Sequence, residues 1–97
     1  MDEQQTRTCV QAHADAVVRG DFDHVTEDFI VEMRPQVPAI GQSLPQPVTS
    51  AEVQSLTVGD EESVAEISYT GDSGSVTIRS HWRDVDGRPQ IVAGQPI

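Results

Sequence analysis

Hydrophobic positions follow two different periods along this chain. In the first third they recur at three and four. Val10, Ala14 and Val17 share one stripe with Cys9, His13 and Ala16 beside it, and Phe22, Val25 and Phe29 follow at the same spacing. That is the period of a helix with one apolar face. It predicts a helix over 2–19. Gly20 is placed to end it, since glycine accepts the left-handed conformation of a helix C-terminus. Asp21 can then cap a second, short helix. From residue 51 onward the period drops to two. In 75–93, Val76, Ile78 and Trp82 fall on one face, and Thr77, Arg79, His81 and Arg83 on the other. Alternation of this kind is the mark of a half-buried strand, and Asp86-Gly87 between two such runs favours a tight hairpin turn. Further strands are predicted over 51–58 and 63–70, with turns at 59–62 and 71–74. Between the two regimes, 30–34 reads as a short strand stopped by Pro35. The stretch 35–47 holds four of the six prolines, each lacking a backbone donor, and reads as a loop with one helical turn near 38–42. The predicted core is Val10, Val17, Phe22, Phe29, Ile67, Ile78, Trp82 and Ile91.

Helices followed by antiparallel strands make an α+β pattern, and 97 residues suffice for a single domain over 1–97 with one modest core. Six Lys and Arg against sixteen Asp and Glu give a formal charge of −10, which argues against nucleic acid and anionic membranes as partners. Only 4% of residues are aromatic, so burial per residue is thin, and a thin core in a small domain often gains stability by oligomerising. The single cysteine, Cys9, excludes an intrachain disulfide. No stretch is apolar for long enough to cross a bilayer, and the acidic, polar N-terminus does not resemble a signal peptide. A cytoplasmic location is therefore expected.

Two segments carry a resemblance. HADAVVRGDFDHVTEDF, residues 13–29, and WRDVDGRPQI, residues 82–91, resemble the opening and the closing hairpin of the nuclear-transport-factor-two-like superfamily, which includes the ketosteroid isomerases and the SnoaL-like polyketide cyclases. The resemblance covers the two ends of the chain. The middle is shorter than usual, with the proline-rich stretch where a third helix often lies. It implies two N-terminal helices packed on a curved antiparallel sheet, a cone-shaped, cystatin-like α+β roll, often with an apolar pocket and commonly dimeric. It also implies where isomerase chemistry would sit. The helix tyrosine position falls on His13. The base position, before the proline, holds Arg34, and the strand acid position falls on Ile78 or Arg79. None of these three is an acid, so the isomerase carboxylate pair is missing.

The residues themselves leave several readings open. His13, on the apolar stripe, either donates into a pocket or is a partly buried structural group. Glu32 and Arg34, two apart on a predicted strand, either hold a polar ligand or form an exposed pair worth little. Tyr69 either lends a hydroxyl to a pocket or packs. With Val17, Phe29, Ile78 and Trp82, these make up the candidate pocket. Arg79, His81 and Arg83 form a basic stripe, which either meets an acidic ligand or second subunit, or is a solvated face with counter-charges such as Glu66. Cys9 has no evident activating partner. The three histidines show no metal-ligand spacing, and no phosphate loop or nucleophile elbow occurs, so no cofactor or metal is expected.

Three functions fit: a pocket that binds a small apolar ligand, a cyclase- or isomerase-like enzyme using His13, or a non-catalytic dimeric interaction module whose pocket is filled by its own side chains. A homodimer through the sheet face is expected in the first and third. The missing carboxylates make one outcome checkable. No proton transfer on a simple ketosteroid is expected. Turnover above background that His13→Ala abolishes would contradict it.

Overall fold

The computed structural model describes all 97 residues. Helix α1 spans Glu3–Arg19, and its N-cap, Asp2, accepts a hydrogen bond from the Gln5 N–H at 2.6 Å. Thr6, Val10, His13 and Ala14 are buried along one face. Gly20 closes the helix at φ 72°, in the left-handed region, while its N–H reaches the Val17 carbonyl and the Asp21 N–H reaches that of Ala16. Asp21 then accepts from the His24 N–H at 3.2 Å and opens helix α2, Phe22–Glu27.

The next segment differs from the expected strand. Only Phe29 bridges to Ile91, in parallel, with the Ile30 N–H donating to the Ile91 carbonyl at 3.0 Å. The chain then turns into a 3₁₀ segment, Val31–Gln36, and a short helix α3, Val37–Gln42. Proline is compatible with both. Its fixed φ suits a helical turn, and Pro38 stands in the first turn of α3, where a backbone donor would have no intrahelical partner. The proline-rich stretch thus carries a third helix.

Four strands follow, β1 Val48–Val58, β2 Ser63–Gly71, β3 Gly74–Val85 and β4 Arg88–Pro96, in a meander of order β1-β2-β3-β4. All pairs are antiparallel. Strand β1 starts three residues earlier than expected because it is not strictly alternating. Thr49 and Gln54 are extra residues against β2, so the less exposed positions run Val48, Ala51, Val53, Leu56, Val58. Such bulges bend a strand and increase its twist. Asp86 and Gly87 turn the last hairpin with φ of 54° and 81°, the two positive values that a two-residue loop of this hand requires. No helix is long and apolar enough to cross a membrane.

One apolar cluster joins α1, α2, α3 and the sheet, with Val10, Ile67, Trp82 and Ile91 almost wholly buried and Phe29 buried beside them. Trp82 is 0% exposed, and its Nε1 donates to Ser80 Oγ at 2.9 Å, so the ring is buried without an orphan polar atom. Three expected core residues differ. Phe22, first on a helix of six residues, is 60% exposed and lines a cavity rather than the filled core. Val17 and Ile78 are half-buried, because each lines a cavity rather than a filled core. Trp82→Ala is expected to lower stability by about 3–5 kcal/mol through lost burial and an unfilled void. A urea midpoint equal to that of the wild type would place Trp82 outside the cooperative core.

Candidate functional site

The site is built on a buried carboxylate. Asp28 caps the C-terminus of α2 and is 1% exposed. Its Oδ1 accepts from Arg88 Nη2 of β4 at 2.5 Å, and its Oδ2 lies 2.9 Å from His13 Nδ1 of α1 and 3.4 Å from His24 Nε2 of α2. Its main-chain carbonyl accepts from the Ile91 N–H at 2.7 Å. The 3.6 period of α1 puts His13 on the inner face, and the Gly20 turn brings α2 back so that Asp28 meets it. A carboxylate only accepts, so a neutral His13 hydrogen-bonded to it carries its proton on Nδ1. Phe29 and Trp82 close on the imidazole edge to face, at centroid distances of 6.0 and 5.6 Å. His13 is therefore fixed on three sides. Although two histidines and a carboxylate converge here, they are not arranged as a metal-ligand group.

The fourth side of His13 opens on a cavity of about 660 Å³ between the helices and the sheet, where twelve of 23 lining residues are hydrophobic. That volume falls in the range of small-molecule sites. Val37, Ile40 and Leu44 supply one wall, so the proline-rich stretch, short as it is, closes the cavity on that side. No carboxylate, lysine or cysteine lines it. Two of its polar groups have no partner within the protein, the Nε2 of His13 and the hydroxyl of Tyr69, although these residues are only 5% and 3% exposed. No fully sealed side-chain nitrogen or oxygen in the protein lacks a partner, so both atoms border accessible space. Burial pushes the Tyr69 hydroxyl well above the ordinary tyrosine range, and the nearby Asp28 charge adds to this, so it stays a neutral hydroxyl. Ser80, also on the wall, is already committed, accepting from Trp82 and donating to the Ala65 carbonyl at 3.3 Å.

Of the residues singled out from sequence, His13, Val17, Phe29, Tyr69 and Ile78 come together around this cavity. Trp82 lies behind His13 rather than on the wall. Glu32 and Arg34 do not share a strand face. They stand on the 3₁₀ segment beside a separate surface groove with Arg83 and Arg88, and Arg34 Nε donates to the Phe29 carbonyl at 3.2 Å. Arg79, His81 and Arg83 lie on the outer sheet face, each with a counter-charge. Arg79 binds Glu66 at 2.9 Å, while His81 and Arg83 share Glu62 at 3.3 and 3.2 Å. The basic stripe thus meets counter-charges within the same sheet. Cys9 is half-buried, and burial pushes its thiol up, away from a thiolate. Asp28 was missed from sequence. Its signal was the Asp-Phe pair ending the second helix, one acid among sixteen with nothing to set it apart.

No protein-family model and no curated protein matches the sequence. An NTF-2-like protein of unknown function from Burkholderia xenovorans superposes with a TM-score of 0.71 at 17% identity, covering 97% of this chain and 84% of that one. The fold is NTF-2-like. A DUF4783 family protein from Bacteroides ovatus shares this fold with a TM-score of 0.69 at 11% identity, over 86% of this chain and 88% of that one. A SEC-C motif containing protein from Rhodopseudomonas palustris does so with a TM-score of 0.68 at 17% identity, over 92% of this chain and 76% of that one. At these identities the likeness is one of fold. The NTF-2-like fold agrees with the resemblance carried by residues 13–29 and 82–91.

Two outcomes follow from the geometry. Asp28→Asn weakens the contacts to His13 and Arg88 together and is expected to lower stability by about 1.5–3 kcal/mol, the range for hydrogen bonds to a charged group. A chemical denaturation curve unchanged in midpoint would show that Asp28 does not hold the helices. On the outer face, hydrogen bonds from His81 and then Arg83 hold the Glu62 carboxyl below the ordinary glutamate range. Its contribution is full above that ordinary range and is lost as pH falls through the lowered folded-state value. An NMR titration should find Glu62 ionising below glutamate in an unstructured reference peptide, and His81→Gln should raise it more than Arg83→Gln does. A Glu62 midpoint equal to that of the peptide would contradict the pairing.

Proposed function

We propose that this NTF-2-like domain binds a small, largely apolar molecule in the cavity between helices and sheet. One observation carries the reading. A cavity of about 660 Å³ with mostly hydrophobic walls holds two buried, unpartnered polar groups, His13 Nε2 and the Tyr69 hydroxyl. Binding sites for small molecules have this composition, an apolar body with a few placed polar groups that fix orientation. A module whose pocket is filled by its own side chains is disfavoured by the same volume. The enzyme reading keeps one supporting feature, since a buried histidine held by a carboxylate meets the geometric requirement of a general base. It ranks second because no other proton-transferring carboxylate, lysine or cysteine lines the cavity.

The binding reading is tested with an uncharged fluorescent probe, N-phenyl-1-naphthylamine. Saturable uptake of one probe per chain is expected, with a change in the emission of Trp82, which touches His13. Ile40→Trp projects an indole into the cavity from α3 and is expected to reduce probe affinity at least tenfold while the circular dichroism spectrum is kept. Undiminished binding in a folded Ile40→Trp variant would overturn the proposal.

A further inference from the structure

The two unpartnered groups in the cavity differ in kind, and the difference defines what they can hold together. The Nδ1 of His13 faces a carboxylate, which can only accept. The same carboxylate is also held by the Arg88 guanidinium. A neutral imidazole in this position carries its proton on Nδ1, and its Nε2 then presents a lone pair to the cavity. Tyr69 presents a neutral O–H, kept protonated by burial. One wall group accepts and the other donates, and both side chains are more than nine-tenths buried.

Resting on the binding reading above, we infer that the cavity selects apolar molecules ending in a neutral hydroxyl, a phenol or an alcohol, that donates to His13 Nε2 and accepts from Tyr69. A hydroxyl is the smallest group that does both. An ether or ketone oxygen can accept from Tyr69 but leaves Nε2 without a donor. A carboxylate can also only accept, and it brings a charge into walls that hold no lysine. The single arginine among the lining residues, Arg19, is exposed and lies near its counter-charge Asp21 at 3.6 Å, so it is not an anchor for an acid at the buried end. Leaving one buried polar group unpaired is what makes such a site discriminate.

The probes are 4-butylphenol, 4-butylanisole and 4-butylbenzoate, titrated by calorimetry at pH 8. The anisole keeps the oxygen and removes its proton. The phenol is expected to bind at least tenfold tighter than the anisole, and the benzoate weakest. Tyr69→Phe should weaken phenol and anisole alike and leave their ratio standing, because both offer an oxygen to that hydroxyl. In ¹⁵N spectra of the wild type, the His13 Nε2 resonance should be that of an unprotonated nitrogen and should move on adding the phenol but not the anisole. Equal affinity for phenol and anisole overturns the inference while leaving the cavity a binding site. Tighter binding of the benzoate, or an Nε2 that carries the proton in the free protein, overturns it as well. Binding of none of the three at millimolar concentration overturns the binding reading, and this inference falls with it.

Discussion

A buried carboxylate, Asp28, joins pieces of the chain that have little else in common. An ion of this size taken out of water costs several kcal/mol unless its oxygens are met. Here both are met, by Arg88 from the last strand and by His13 and His24 from the first two helices. The main chain at the same residue adds a hydrogen bond to Ile91. The cost of burial is offset only when α1, α2 and β4 are all in place, so the group rewards one arrangement of helices on sheet over its neighbours. The same contact that orders the fold also fixes the imidazole whose far nitrogen borders the cavity. Structure and candidate chemistry thus share one residue.

The cavity has its own cause. Few aromatic side chains are present to fill the space beneath a curved sheet, and Trp82 and Phe29 are both engaged on the ring of His13. Bulges in β1 bend the sheet, and α3 and the turn after it border the space with Val37, Ile40 and Leu44. Four of the branched aliphatic residues that border the volume, Val17, Ile40, Leu44 and Ile78, are half-buried, not interlocked. A polar group placed there without a partner would ordinarily be a defect. Two such groups, on different elements and facing one space, make more sense as parts of a site.

Where a local rule decided the outcome, the fold was legible in the residues. The 3.6 period and Gly20 place α1, Asp21 places α2, and Asp86-Gly87 with the alternation of Val76, Ile78 and Trp82 places the last hairpin. Two elements escaped for physical reasons. In β1, the extra residues Thr49 and Gln54 break the two-residue period, so its first three residues look like loop. The segment after Phe29 has the composition of a strand, but it makes a single bridge before the proline-rich turns take over. Glu32 and Arg34 were misplaced with it. His13 was legible as a candidate from its position on the stripe, whereas its partner was not. Which of many acids meets it depends on the angle between two helices, and no local pattern encodes that angle.

The two bulges in β1 also bear on how copies of the chain meet. That strand has no hydrogen-bonded neighbour on its outer side, and the outward-facing backbone groups along its eleven residues are a template on which another chain could add a strand. An incoming straight strand would lose register at Gln54 and again at Thr49, so it could not follow the ladder along its full length. At the opposite end of the sheet, the residues around Phe29 already occupy part of the β4 edge. Irregularity on one side and a local cap on the other guard this sheet against unlimited edge-to-edge growth.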